Sequence, residues 1–288
     1  MATLEDDETA TVSEVARDTV RGDLRVPPQA FRDTLRVRSY EAGRDGAIHP
    51  GTILRYLEHL ATAASAALGF DNQWYRAHNS AWVVRDMSLL LGDLPGIDVD
   101  INLATWVADF RHVQATRDYL VTRADTGRLV ARASARWAYI DRQKLLPIRI
   151  PDEITARMGP WGHAMRARTV APLPRLSDAP LASEMRLTAR EYEADTQQHI
   201  NNCVYLDWLH EAAWRAASDG ALTGARLRLR PRFSRLEYIR PAQPGDTLSI
   251  ATTTPLRAHS RSLGVWQTIS APDGLVARAW TESLIIGA

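Results

Sequence analysis

The sequence predicts an α+β fold built twice in tandem, each half one long helix followed by an antiparallel sheet that wraps it. Three observations carry this. Two segments place apolar residues at steps of three and four: Leu54, Leu57, Ala61, Ala64 and Leu68, then Tyr205, Trp208, Leu209, Ala212, Ala213 and Ala216. That spacing is one buried helical face. Each is followed by several alternating, strand-like runs separated by turn residues. Late in each half, Gly127-Arg128-Leu129-Val130-Ala131-Arg132-Ala133 is answered by Gly274-Leu275-Val276-Ala277-Arg278-Ala279, an internal repeat.

Residues 1–28 are polar and end in Pro27-Pro28, the pattern of an arm outside the core. The first half, 29–152, opens with an alternating strand from Thr34 to Tyr40 and a turn-rich approach from Gly43 to Gly51. The first long helix follows, and Gly69 is placed to stop it. Strands are expected around Ala81–Leu91, Val99–Ala108, Arg117–Arg123 and Leu129–Ile140. The proline-rich stretch 153–183 reads as a linker. The second half, 184–288, restarts with a short strand at Met185-Arg186-Leu187 and the second helix. Strands near Arg226–Ile239, Thr247–Pro255, Ser262–Ile269 and Leu275–Ile286 complete it. Duplicated halves of this kind pack as a pseudo-dimer with sheets joined edge to edge, which removes two exposed edges. A monomer of that form or a homodimer is expected.

Chemistry is expected at the start of the second helix, where Asp195-Thr196-Gln197-Gln198-His199-Ile200-Asn201-Asn202 runs into its apolar face. Asn201 or Asn202 suits the N-cap. A helix N-terminus offers backbone N–H groups and a positive dipole end to a developing oxyanion, while Asp195 and His199 supply proton transfer or orientation. The bland alternative is a capping carboxylate and a core histidine. Upstream, Asp45 and His49 repeat the four-residue spacing before the first helix but lack the paired Asn residues, the pattern of a vestigial copy.

The motif Asp195-x-Gln197-x-His199-x-Asn201-Asn202, with Tyr205 and Trp208, resembles the Asp-x-Asn-x-His-x-Asn-Asn motif of the acyl-ACP thioesterases, double hot-dog enzymes that release fatty acids. Arg38-Ser39-Tyr40-Glu41-x-Gly43, Leu57-Glu58, Trp82-Val83-Val84-Arg85-Asp86-Met87, Ala104-Thr105-Trp106-Val107, Arg117-Asp118-Tyr119-Leu120-Val121, Ala131-Arg132-Ala133-Ser134-x-x-Trp137 and Leu236-Glu237-Tyr238 extend the likeness from Phe31 onward. The resemblance implies a tandem hot-dog fold and thioester hydrolysis. Asp and Asn of the motif would engage the carbonyl and position water, His would assist, and an acidic residue after Leu-Glu-Tyr would act as a base. Two positions depart: Gln197 stands at the motif's Asn, and Pro241 at the acidic position, followed by Ala242 where plant members carry Cys. Glu237 becomes a secondary candidate.

By the same analogy the acyl chain lies in the first half, near Leu54, Leu57, Ala61, Trp82, Val84, Met87 and Trp106, with Tyr238 a further substrate-binding candidate. The alternative is a scaffold turned to another step on a carrier-bound acyl chain: cyclising release, dehydration or binding without hydrolysis.

Composition narrows the partners. With 35 Lys and Arg against 34 Asp and Glu the net charge is +1, which argues against a chain that binds nucleic acid by bulk charge. Lys144 is the sole lysine and Cys203 the sole cysteine. A lone cysteine excludes an intramolecular disulfide and any cysteine-rich zinc site, so a reducing cytoplasm is the expected compartment. No apolar run is long enough to span a bilayer, and no secretory leader is evident. No glycine-rich phosphate loop, zinc spacing or dinucleotide fingerprint occurs, so no cofactor or metal is expected. Arg226, Arg228, Arg230 and Arg232 alternate with Leu227 and Leu229, which makes one strand face cationic. That face reads either as a solvated surface or as a docking surface for an acidic acyl carrier protein or CoA phosphates.

Overall fold

A computed structural model of the protein describes residues 26–159, 179–255, 257–259 and 261–287. The arm up to residue 25 and linker residues 160–178 lie outside them. The chain divides into two compact units, the boundary falling at residue 170.

In the first unit, β1 (Phe31–Arg36) leads through a 3-10 turn at Ser39–Glu41 to α1 (Pro50–Ala67). Pro50 opens α1, where its missing N–H costs nothing, and Gly69, at φ +85°, takes the left-handed position just past the end. Ile53, Leu54, Tyr56, Leu57, Leu60 and Ala64 form its buried face. Ala61 is half-buried and Leu68 lies beyond the last turn, exposed, so the apolar stripe is shorter than its spacing suggested. A short helix absent from the sequence reading follows, α2 (Asn72–Ala77), capped by the Asp71 carboxylate accepting from the Trp74 amide at 2.8 Å.

Strands β2 (Ser80–Leu91), β3 (Asp100–Arg111), β4 (Gln114–Arg123) and β5 (Leu129–Asp141) complete an antiparallel sheet in the order β1-β3-β4-β5-β2. Residues 153–158, read from sequence as the start of the linker, belong to α3 (Asp152–Met158). Its Ile154 and Met158 are buried with Phe70, Tyr75, Val107 and Tyr139, so an apolar i, i+4 pair outweighs the surrounding prolines.

In the second unit, β6 (Leu181–Thr188) and a 3-10 turn at Glu191–Glu193 precede α4 (Asn202–Ser218). Strands β7 (Arg228–Tyr238), β8 (Thr247–Thr253), β9 (Arg257–His259), β10 (Ser262–Ala271) and β11 (Gly274–Gly287) follow. The sheet runs β7-β11-β10-β8-β6, with β9 on β10, and every pairing is antiparallel. This is the strand order of the first unit. The repeated Leu-Val-Ala-Arg-Ala segments occupy β5 and β11, each the strand next to the one that follows its unit's long helix. All six residues expected on the buried face of α4 are buried. Among the described residues no helix is long and apolar enough to cross a membrane, and no group of three or more His, Cys, Asp and Glu could hold a metal ion.

Candidate active site

The polar turn before α4 is a closed loop built on backbone bonds. Ala194 and Ile200 pair across its base. The Asp195 amide donates to the His199 carbonyl at 2.9 Å, and the Gln198 amide returns to the Asp195 carbonyl at 3.0 Å. Closure forces Gln198 to φ +64°, the left-handed region that side chains larger than glycine seldom enter. Such a conformation is sustained only where the surroundings over-determine it, and it is commonest at functional sites.

Inside this loop Asp195 Oδ1 accepts from the Gln197 amide at 2.7 Å, and its Oδ2 lies 3.5 Å from His199 Nδ1. The Nδ1 atom is buried and makes no hydrogen bond, so the two side chains are neighbours in this turn without a bond between them. The Asp195 and His199 side chains are 18% and 27% exposed, which leaves both reachable but largely out of bulk water. Asn201 is the N-cap, its Oδ1 accepting from the Cys203 amide at 2.8 Å while its carbonyl takes the Val204 amide at 3.0 Å. The supply of free N–H groups expected at this helix start is therefore smaller than for an uncapped helix. Among the described residues the Asn202 amide makes no hydrogen bond and remains available. Gln197 sits exposed at the loop tip.

The turn is buttressed from below. Buried Glu193 accepts from the Arg190 amide at 2.8 Å and from the Trp208 indole at 3.3 Å, and its carbonyl takes the Asn201 amide at 2.9 Å. The loop after β7 is tied to the same place: Ala242 donates its amide to the Tyr205 hydroxyl at 2.8 Å, and its carbonyl accepts from Ile200 at 2.9 Å. Burial pushes the Tyr205 hydroxyl up to about 12, so it stays neutral. The Tyr238 hydroxyl donates to the Asn202 carbonyl at 3.0 Å, and the Tyr238 ring meets Tyr205 edge-on at 5.4 Å.

Glu237 faces away from this cluster. Side chains alternate along a strand, so Tyr238's approach to α4 sends Glu237 to the opposite face of β7. There it pairs with Arg278, whose Nε donates at 2.7 Å. The secondary candidate is thus engaged in a cross-strand ion pair rather than in the Asp195 turn. Pro241 is exposed beside buried Ala242.

The first unit carries the same turn with different residues. Arg38, Glu41, Gly46 and Tyr56 stand at one constant offset from Arg190, Glu193, Gln198 and Trp208, and make the corresponding contacts. At that offset Asp195 corresponds to Gly43, Gln197 to Asp45, His199 to Ala47 and Asn201 to His49. Asp45 and His49 are therefore not the counterparts of Asp195 and His199, as their spacing suggested. The match is shifted by two residues because the shared turn is set by its backbone bonds, with Gly43 donating to Ala47 as Asp195 does to His199.

Residues expected to line the acyl chain fall into separate groups. Leu54 and Leu57 are buried on α1. Val84 and Met87 lie across from Trp137 and Ala135, on one face of the first sheet, and Trp82 packs on Tyr139 at 5.0 Å with its indole donating to Tyr75 at 3.0 Å. Trp106 is buried with Ala30, Ala104, Ala108 and Leu120, apart from the cluster that holds its neighbour Val107. Strand alternation puts it on the other face, away from Val84 and Met87. Arg226, Arg228 and Arg230 are exposed, Arg226 just before β7 begins, whereas Arg232 is half-buried and the cationic stripe ends there.

A long helix wrapped by an antiparallel sheet, occurring twice, with the complete polar turn in the second copy, defines a double hot-dog protein. Residues 28–158 match the acyl-ACP thioesterase N-terminal domain and residues 178–279 the acyl-ACP thioesterase C-terminal domain, and the chain belongs to that family. It is 29% identical over 195 residues to the chloroplastic acyl-[acyl-carrier-protein] hydrolase FATB2 of Cuphea viscosissima, covering 63% of this chain and 47% of that protein. It is 28% identical over 195 residues to a chloroplastic palmitoyl-acyl carrier protein thioesterase of Arabidopsis thaliana, covering 64% and 47%. The chain thus spans about half the length of these curated relatives. Among solved structures, the 12:0-ACP thioesterase from Umbellularia californica superposes with a TM-score of 0.73 at 21% identity, over 89% of this chain and 97% of that one. A putative oleoyl thioesterase from Lactobacillus plantarum gives a TM-score of 0.73 at 18% identity, over 90% and 98%. These two show the fold.

Proposed function

We propose that the protein hydrolyses the thioester of an acyl chain carried by an acyl carrier protein or CoA, releasing a free fatty or polyketide acid and a thiol. The observation that carries this reading is the Asp195–His199 pair at the entrance to α4, present in the second copy of the turn and replaced by Gly43 and Ala47 in the first. In this reading Asp195 takes a proton from the attacking water and returns it to the departing thiolate, with His199 orienting the water. The Asn202 amide and the positive end of α4 stabilise the oxyanion of the tetrahedral intermediate. Residues 184–288 carry the chemistry and 29–152 hold the acyl chain, with Leu54, Leu57, Val84 and Met87 as its apolar lining. Exposed Arg226, Arg228 and Arg230 offer screened, charge-assisted contacts to an acidic carrier. The lone, buried Cys203 fits an enzyme of a reducing compartment, the cytoplasm in this reading.

Pro241 at the family's acidic position, with Glu237 bound to Arg278, favours a second reading in which the scaffold performs another step on a carrier-bound acyl chain. One assay separates them. Purified protein is mixed with medium- and long-chain acyl-ACP and acyl-CoA, and free thiol is measured against an Asp195→Asn control. Thiol release above that control supports hydrolysis; its absence across both carriers leaves the second reading.

A further inference from the structure

The two copies of the polar turn share one buried carboxylate, but they do not hold the same residues. Glu193 in the second unit and Glu41 in the first are each 8% exposed. Glu193 Oε2 accepts from the Arg190 amide at 2.8 Å, and its Oε1 takes the Arg190 guanidinium and the Trp208 indole, each at 3.3 Å. The Glu193 carbonyl accepts the Asn201 amide at 2.9 Å. One residue therefore ties together the chain entering the turn, the N-cap that leaves it and the second turn of α4. Asp195 stands two residues beyond Glu193 and His199 two residues before Asn201, so both lie between the ends of this clamp.

Glu41 makes the same frame. It accepts from the Arg38 amide at 2.7 Å, the Arg38 guanidinium at 3.0 Å and the Tyr56 hydroxyl, which stands at the position of Trp208, and its carbonyl takes the His49 amide at 3.0 Å. That frame encloses Gly43 and Ala47, which bring no carboxylate or imidazole to the two positions. The two carboxylates thus make corresponding bonds, and the second encloses an Asp–His pair. A carboxylate suits Glu193's place because both of its oxygens face donors. A carboxamide has one acceptor oxygen, and its NH2 would meet either the Arg190 amide or the Trp208 indole.

We infer that Glu193 is a positioning residue: through Asn201 and Trp208 it sets the places of Asp195 and His199 in the turn, and Glu41 is its structural twin without that role. This rests on the reading of Asp195 and His199 as the hydrolytic pair. A displacement of about 1 Å in a reacting group can cost roughly a hundredfold in rate. With the acyl chain held by the first half, a loosened clamp lowers turnover rather than raising KM.

The test compares Glu193→Gln with Glu41→Gln in the full chain. Both should lower the melting temperature, since each takes a charge-assisted acceptor from buried donors. Well below melting, Glu193→Gln is expected to lower kcat about tenfold with KM little changed, while Glu41→Gln keeps kcat within about twofold. Rescue follows the twin: Trp208→Tyr, which offers Glu193 the hydroxyl that Tyr56 gives Glu41, should keep more of the rate than Trp208→Phe, which offers no donor. If Glu193→Gln does not fold, the Trp208 pair decides, and equal rates in it overturn the inference. So does an equal kcat loss in the two Glu→Gln variants, or none in Glu193→Gln. Failure of the hydrolase reading is recognised separately, because the wild type then releases no thiol. The readout is in that case the His199 ring resonances in proton NMR, assigned by their loss in His199→Ala. They should shift in Glu193→Gln and stay in place in Glu41→Gln; unshifted resonances in Glu193→Gln overturn the inference without any assay of turnover.

Discussion

The Tyr205 hydroxyl accepts the Ala242 amide at 2.8 Å, and through this bond a residue of α4 holds the loop after β7 against the polar turn. Ala242 is fully buried, so its N–H has no water to replace that acceptor. Tyr205→Phe orphans it. An unsatisfied buried amide costs on the order of 1–3 kcal/mol, and thermal unfolding should fall by several degrees. A melting temperature equal to wild type would mean that the loop does not depend on this bond.

Asp195→Asn keeps the side chain's size and its acceptor for the Gln197 amide but removes the carboxylate proposed as the base. Folding should survive, and thiol release should fall roughly a hundredfold or more. His199→Ala should also slow release. Full activity in Asp195→Asn would place the chemistry elsewhere.

Gln198 sits at φ +64°, where its counterpart in the first unit is Gly46. Gln198→Gly relieves a left-handed strain worth about 1 kcal/mol and adds unfolded-state entropy of similar size, so stability should change little. Gln198→Val, β-branched at the same angle, should destabilise distinctly more. Denaturant unfolding of the pair tests this, and equal stabilities would contradict it.

Glu237 is bound to Arg278 on the far face of β7, so Glu237→Gln should alter the rate far less than Asp195→Asn does. Its stability effect should stay within about 1 kcal/mol, the range of a partly exposed ion pair. A rate loss comparable to that of Asp195→Asn would make Glu237 part of the chemistry.

The charge reversals Arg226→Glu and Arg230→Glu together should weaken binding of an acidic carrier protein. They should also flatten the dependence of the remaining affinity on salt, because both arginines are exposed and their attraction is screened. Unchanged affinity at low salt would leave them as a solvated face.

Local pattern was enough for much of this protein. The helix faces at Leu54, Leu57, Tyr205, Trp208 and Ala212, the strand runs, and the repeated Leu-Val-Ala-Arg-Ala segments are short-range signals, because burial on one side of an element imposes its own period on the chain. The family likeness and the Asp195-to-Asn202 turn were legible for the same reason: the capping residues and the Asp195–His199 pair lie within one loop. What only the tertiary structure decided depends on residues distant in sequence. Sheet alternation sent Glu237 to Arg278 and Trp106 away from Met87, and neither direction can be read until the register with β11 and β4 is known. The backbone bonds that shift Asp45 and His49 two residues out of match with Asp195 and His199 close only in three dimensions. Helix α3 exists because Ile154 and Met158 find Phe70 and Tyr139, partners that overrule the proline-rich composition around them. Arg117 stands at the start of an expected strand in the sequence; folding alone buries it against Thr105.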